Sequence, residues 1–434
     1  MKFYSTNNPS LKVDLRQAVT QGLAPDNGLY MPEQIPVLSK TFFEALPTMS
    51  FEDMAFAVAH NIIGDDIPAE ELKRIVKHTL QFDTPVVKVE DDVYALELFH
   101  GPTLAFKDFG ARFMSQLLGY FAKQQDQEIV ILAATSGDTG SAVANGFLGV
   151  PGTRVVVLYP SGKVSEIQEK QFTTLEKNIT ALEVDGTFDD CQRLVKEAFL
   201  DQDLKKKFFL TSANSINIAR LIPQSFYYFY SYARLQHLGK PVVYCIPSGN
   251  FGNITGGLFA QRMGLPIHHF VAATNSNDVV PVYLKTKQFQ PRPSQQTISN
   301  AMDVGNPSNF VRMLELFGKD FDALAKDITG YSFTDDETRT AMRDVFSQKH
   351  YVMDPHGAIG YLGLKKYQKE ISNNVTGVFL ETAHPAKFKE VVDETLATSI
   401  DIPEPLQKFM AGKKTTIPAT TDFGAFKKFL LEKF

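Results

Sequence analysis

From Glu128 onward the chain repeats one pattern: a short apolar run, a polar loop with glycine or serine, then an amphipathic stretch. "EIVILAA" leads through "TSGDTG" into "SAVANGFLG". "TRVVVLYP" precedes "SGKVSEIQEKQFTTL", and "ITALEVDG" precedes "TFDDCQRLVKEAFL". Farther on, "PVVYCIP" passes through "SGNFGN" into "ITGGLFAQRMG", and "VTGVFLE" runs into "TAHPAKFKEVVDETLA". Strands that are apolar at nearly every position need cover on both faces, and the intervening helices supply it. The pattern therefore predicts an α/β fold with parallel sheets and helices on both faces. Ligands of such sheets bind beyond the carboxyl ends of the strands. Three polar loops occupy those places: "ATSGDTGSA", "IPSGNFGN" and "ETAHPAKF".

The first 95 or so residues follow a different rule. "FEDMAFAVAHNIIG" and "PAEELKRIVKHTLQF" place apolar residues at three- and four-residue steps, which predicts a mostly helical N-terminal segment. The last residues, "DFGAFKKFLLEKF", read as a closing amphipathic helix. Of 434 residues, 44% are hydrophobic and 21% charged, enough for a sizeable core. The net charge of −5, without a run of five like charges, gives no support for nucleic-acid or membrane-surface binding. No apolar stretch reaches the roughly 18 residues of a spanning helix, and the N-terminus lacks a signal core. Cys191 and Cys245 lie in no CxxC pattern, so a reducing cytoplasm is expected. His268 and His269 would face opposite sides of a strand. No metal-ligand spacing occurs, so no metal site is expected, and no GxSxG elbow occurs, which removes that signature of a serine hydrolase.

The chemistry-bearing candidates sit in the loops. In "IPSGNFGNITGG", Gly249 and Gly252 let the backbone approach a ligand, and the amides of the following helix make either a phosphate cradle or an ordinary glycine-rich turn. "TSGDTGSA" suits a small anion, or is a helix cap in which Ser136 or Asp138 satisfies the first amides. A helix starting near Ser215 would put Asn217 and Arg220 on one face, as a phosphate site or as capping beside a surface arginine. "LETAHPAKF" ends a strand with Thr382 and His384. In "HGPTLAFKDFG", Lys107 sits among apolar residues, which would suit an imine-forming lysine, or one that merely snorkels. An imine-forming lysine, a phosphate cradle and small-anion loops together describe a pyridoxal phosphate site.

"HGPTLAFKDFG", "TSGDTG", "SANSINIAR", "PSGNFGN" and "TAHPAKF", in this order, resemble the threonine synthase family, and "VTQGLAPDNGLYMPE" resembles its N-terminal segment. The resemblance runs from about residue 3 to 395. It implies fold type II of the pyridoxal-phosphate-dependent enzymes, the tryptophan synthase β-like class. It also implies an N-terminal domain at 1–95 and a catalytic core at 96–400 with a smaller mobile sub-domain at approximately 126–212. A C-terminal segment at 401–434 would follow. The cofactor implied is pyridoxal 5′-phosphate, carried by Lys107. Gly249, Asn250, Phe251, Gly252 and Asn253 would hold its phosphate and surroundings, Thr382 would face its pyridine nitrogen and Asp138 would lie near its 3′-oxygen. Thr135, Ser136 and Thr139 would bind the substrate carboxylate; Asn214, Ser215, Asn217 and Arg220 would bind the substrate phosphate. Where the family often has aspartate, this chain has Asn253.

The reaction so implied converts O-phospho-L-homoserine and water into L-threonine and phosphate, the work of a carbon–oxygen lyase in threonine biosynthesis. Lys107 would be its general base. The long form of the family is often monomeric, so a monomer is expected. Neighbouring readings are a phospholyase or a serine/threonine dehydratase of the same fold. A more distant one is a non-catalytic protein that binds phosphorylated ligands.

Overall fold

The computed structural model describes residues 1–124 and 127–434. The chain divides into two compact units. One comprises Met1, 31–106 and 221–401; the other comprises 2–30, 107–220 and 402–434. The chain's longest passage through the second unit begins at Lys107 and ends at Arg220.

The first unit is built on a six-stranded sheet. Its order is Ile328–Ser332, Ile267–Thr274, Val242–Pro247, Thr376–Glu381, Val93–Glu97 and Val86–Glu90. All pairings are parallel except the last, an antiparallel edge hairpin. Val243, Cys245, Val271, Ala273 and Phe379 form one core cluster with Ile359, Leu364 and Tyr367 of the helix Pro355–Glu370. Val242, Tyr244 and Ile246 alternate with them, so they point to the other face, where they are buried as well. The sheet is therefore covered on both sides, as the continuous apolar runs predict. Strand order reverses between Val242–Pro247 and Thr376–Glu381. Their carboxyl ends, and hence the loops beginning at Ser248 and Thr382, emerge side by side.

The second unit repeats this plan with five parallel strands: Ile417–Ala419, Ile179–Val184, Thr153–Pro160, Ile129–Ala134 and Phe209–Ser212. Its reversal lies between Ile129–Ala134 and Phe209–Ser212, which places "TSGDTG" beside "SANSIN". The closing helix Phe423–Lys433 lays Phe426 and Leu430 into the cluster of Val130, Leu132, Cys191 and Leu194. Lys427 Nζ reaches Asp201 and Asp203 at 2.8 and 2.7 Å.

The expected N-terminal helices are present. Phe51–Ile63 is capped by Ser50 Oγ, which accepts the Asp53 N–H at 3.0 Å. Ala69–Thr79 buries Leu72, Ile75, Val76 and Thr79 along one stripe. The same region also holds the short strands Lys2–Ser5 and Lys12–Asp14, paired antiparallel. They are too short for a period of two to register in sequence. One local expectation is corrected. No helix starts near Ser215; a four-residue helix, Ile218–Leu221, begins only after Asn217. The expected lower bound of the smaller sub-domain, about 126, lies outside the described residues.

Candidate active site

Lys107 opens the helix Lys107–Ala122, and the residues before it are pinned in place. Phe106 N–H donates to Thr382 O at 2.8 Å, His384 N–H donates to Leu104 O at 3.0 Å, and Ala105 bridges Ala383. Leu104 adopts φ +56°, unusual for a branched residue, and is buried. Thr103 O accepts a hydrogen bond from Lys387 Nζ at 2.8 Å, and Lys387 is only 1% exposed. Thr103 thus supports the loop through its carbonyl, while His100 Nε2 pairs with Glu97 at 2.7 Å. These contacts set the backbone from which Lys107 departs.

The Lys107 side chain is 16% exposed, and Nζ lies 3.8 Å from Asp138 Oδ2. Asp138 is itself buried and takes a hydrogen bond from Gln168 Nε2 at 2.9 Å. Its position depends on Gly137, whose φ of +143° is reserved for glycine and whose place leaves no room for a side chain: a Cβ there would meet Gln168 Oε1 at 2.5 Å. The loop's cap is Thr135 rather than Ser136 or Asp138. Its Oγ1 accepts the N–H groups of Gly137 and Gly140 at 2.9 and 2.8 Å and donates to Gly137 O. The Thr135 hydroxyl is therefore spent on the loop. Ser136 and Thr139 are half-buried, with no side-chain hydrogen bond among the described residues.

On the adjacent strand end, Asn217 is fully buried. Its Nδ2 donates to Val19 O at 2.8 Å and its Oδ1 caps the Ala219 N–H at 3.0 Å, so it ties the N-terminal helix Leu15–Gln21 to this loop. Arg220 is no surface arginine. It is 3% exposed, donates to Ala213 O at 2.5 Å and lies beside the buried Asp108. Burial lowers its pKa to about 10, against the opposing pull of Asp108, and it stays protonated. Gly110 makes room for it: a Cβ there would stand 2.6 Å from Arg220 Nε. The Asn214 side-chain amide makes no hydrogen bond among the described residues, and its Oδ1 is buried. Ser215 is half-buried.

In the first unit, the loop from Ser248 enters the helix Gly252–Arg262 through Phe251 in the left-handed region, φ +60°, without a side-chain cap. Among the described residues, the five N–H groups from Gly249 to Asn253 have no acceptor. Five donors at a helix N-terminus need an anion or water, and a phosphate fits both their number and the helix dipole. The side chains of this loop turn inward. Asn250 Oδ1 accepts from Ser308 N–H and Oγ at 3.2 and 2.9 Å. Asn253 Oδ1 accepts from Ser248 Oγ and the Ile254 N–H, while its Nδ2 donates to Pro247 O at 2.8 Å. A carboxylate at 253 could not make that last bond, which is a structural reason for asparagine here. On the neighbouring strand end, Thr382 is buried and its hydroxyl has no partner among the described residues.

A model of pyridoxal-phosphate dependent enzymes matches residues 78–382. The threonine synthase N terminus matches residues 2–80, and the threonine synthase C-terminal model matches 357–430. Threonine synthase of Escherichia coli (strain K12) is 44% identical over 432 residues, 99% of each chain. The crystal structure of threonine synthase from Escherichia coli superposes with a TM-score of 0.93 at 43% identity and covers 100% of both chains. The pyridoxal-phosphate-bound threonine synthase from Brucella melitensis gives 0.93 at 34% identity, over 100% of this chain and 99% of that one.

The chain belongs to the threonine synthase family.

It is accordingly a pyridoxal-phosphate-dependent enzyme of fold type II. For this family member, three buried groups near the candidate residues escape a reading of motifs. Lys387 lies inside "TAHPAKF" and reads as surface. His356 lies in "DPHG", which has no motif spacing. Glu381 ends an apolar strand one residue before Thr382, where an ionisable group is not expected. Glu381 is wholly buried; burial pushes its carboxyl well above the usual range, and Asp354 and Glu97 push it the same way. A carboxyl whose folded pKa is raised stabilises the fold at low pH, and that contribution is lost as pH rises above the ordinary value near 4.5. Asp303, raised to about 6, adds the same trend only up to that pH. As pH rises above the ordinary carboxylate range, therefore, Glu381→Gln is expected to flatten the decline in unfolding free energy of the parent, as read from urea denaturation. Equal slopes in parent and variant would assign the decline to other groups.

Proposed function

We propose that the chain converts O-phospho-L-homoserine and water into L-threonine and phosphate with pyridoxal 5′-phosphate as cofactor. The observation that carries the reading is the likeness to threonine synthases over the whole chain, N-terminal segment included. The acceptor-free amides of Gly249 to Asn253 fit the cofactor phosphate, Lys107 Nζ would carry the cofactor, and the Thr382 hydroxyl suits a pyridine nitrogen that is not fully protonated. When bound, the cofactor supplies an electron sink for ionising a carbon–hydrogen bond beside an amine.

The chain's own residues would supply the rest. Lys107, once the substrate amine replaces it, is the amine that removes the α-proton and later returns one. Ser136 and Thr139 have hydroxyls to offer the substrate carboxylate, on a loop shaped by Thr135. Asp138, whose Oδ2 lies 3.8 Å from Nζ, would orient it. Asn214, Ser215 and Arg220 would receive the substrate phosphate and support its charge as it departs; Asn217 would act by holding their loop. For the atoms to balance, a proton would leave the carbon next to the α-carbon as phosphate departs, the carbon that carried the phosphate would take up a proton, and water would add its hydroxyl at the carbon next to the α-carbon.

The division into 1–95, 96–400 and 401–434, with a smaller mobile sub-domain at approximately 126–212, is kept as part of the proposal. So are a monomeric state and a cytoplasmic location. Free, buried Cys191 and Cys245 fit the latter; among the described residues no helix is long and apolar enough to cross a membrane. The deciding experiment incubates purified protein with O-phosphohomoserine and follows phosphate and amino acid together. Threonine equimolar with phosphate is expected. Release of 2-oxobutyrate instead would make the chain an eliminating enzyme of the same fold.

A further inference from the structure

His356 lies in the first turn of the helix Pro355–Glu370, 2% exposed, between two partners. Its Nδ1 is 2.5 Å from Oδ1 of Asp354, the residue capping that helix. Its Nε2 lies 3.2 Å from the backbone N of Ala301. A backbone N–H can only donate, so Nε2 must present its lone pair, and the ring proton must sit on Nδ1, donated to Asp354. Asp354 is itself held by the N–H groups of His356 and Gly357. The imidazole is thus locked in one neutral tautomer by a group on one side and read by a backbone amide on the other.

That amide belongs to the short turn Asn300–Met302, which abuts the phosphate cradle. A Cβ on Gly249 would lie 2.8 Å from Met302 Cα and 3.0 Å from Ala301 O. Gly249 is the first of the five acceptor-free amides. We propose that His356 is a positioning residue for the cofactor phosphate: in its Nδ1–H tautomer, set by Asp354, it holds the 300–302 turn against Gly249 and so aims the cradle amides. The inference rests on the cofactor assignment above and adds a residue remote from the cradle in sequence. It also gives the histidine a role through its lone pair rather than its charge.

The test compares the affinities of pyridoxal 5′-phosphate and of pyridoxal, which lacks the phosphate, for cofactor-free protein. In His356→Asn the amide reaches Asp354 and not Ala301. In His356→Gln the amide oxygen can reach the Ala301 N–H in place of Nε2. Expected is a roughly tenfold loss of pyridoxal phosphate affinity in His356→Asn, little change for pyridoxal, and recovery in His356→Gln. Equal weakening of both ligands in His356→Asn, or no change in either, would overturn the proposal. A parent protein that does not prefer the phosphorylated ligand would instead defeat the cofactor assignment. Should both variants misfold, nitrogen-15 NMR of the parent holoenzyme still decides. An unprotonated Nε2 coupled through the hydrogen bond to the Ala301 amide is required; a protonated Nε2 removes the basis of the proposal.

Discussion

Lys107→Ala is expected to lose threonine formation by at least ~10³-fold, because one substitution removes the residue proposed both to anchor the cofactor and to move the α-proton. The cofactor should leave the variant on dialysis while remaining with the parent. The fold should tolerate the change. The backbone at this point is held by Phe106 N–H on Thr382 O, by the Ala105–Ala383 bridge and by Lys387 on Thr103 O, none of which uses the Lys107 side chain. A stability change within ~1 kcal/mol is therefore expected. A small primary amine added to the variant should restore part of the proton transfer. Activity above about 1% of the parent without added amine would assign the base to another residue.

Arg220→Ala is expected to act first on the fold. The guanidinium is fully buried beside Asp108, which is 1% exposed. Removing it takes a buried positive charge from beside that carboxylate, which Arg112 also approaches, and truncating one of two opposite buried charges lowers stability by ~3 kcal/mol. A loss of activity in that variant would therefore say little about substrate. Arg220→Lys separates the two roles. It keeps the charge near Asp108, so stability should fall by no more than about 1–2 kcal/mol. It loses the planar fork that matches a phosphate, so kcat/KM for O-phosphohomoserine should fall by roughly tenfold or more, chiefly through KM. A stable Arg220→Lys variant with unchanged kinetics would make Arg220 a strut between Ala213 and Asp108 and remove it from the phosphate site.

The alternation of apolar runs and amphipathic stretches placed five of the eleven strands of the two larger sheets, Ile129–Ala134, Thr153–Pro160, Ile179–Val184, Val242–Pro247 and Thr376–Glu381, because strand and helix periods are written locally; the edge strands Val86–Glu90, Ile328–Ser332, Phe209–Ser212 and Ile417–Ala419 escaped it. The loops that carry chemistry were legible for a related reason: glycine and hydroxyl residues concentrate where the chain must turn at a strand end. The side chains' assignments were less legible. Asn217 and Thr135 have the composition of ligand-binding residues, yet Asn217 is bonded to Val19 O and Thr135 to its own loop's amides. Asp108, next to Lys107 in sequence, is buried beside Arg220, which nothing in the local sequence indicates.

What the sequence by itself determined is the recurring strand–loop–helix pattern, the α/β class, the family and the strand ends at which ligands can bind. Only the tertiary structure decided which polar groups at those ends are left for a ligand. A hydrogen bond is satisfied by whichever group arrives, and the arriving groups come from far along the chain: Val19 for Asn217, Ser308 for Asn250, Thr103 for Lys387, Ala301 for His356. What remains at Gly249 to Asn253 is backbone, five amides that no side chain among the described residues reaches. Every residue but proline carries such an amide, so residue identity alone cannot mark which ones stay open; the packing of distant segments does.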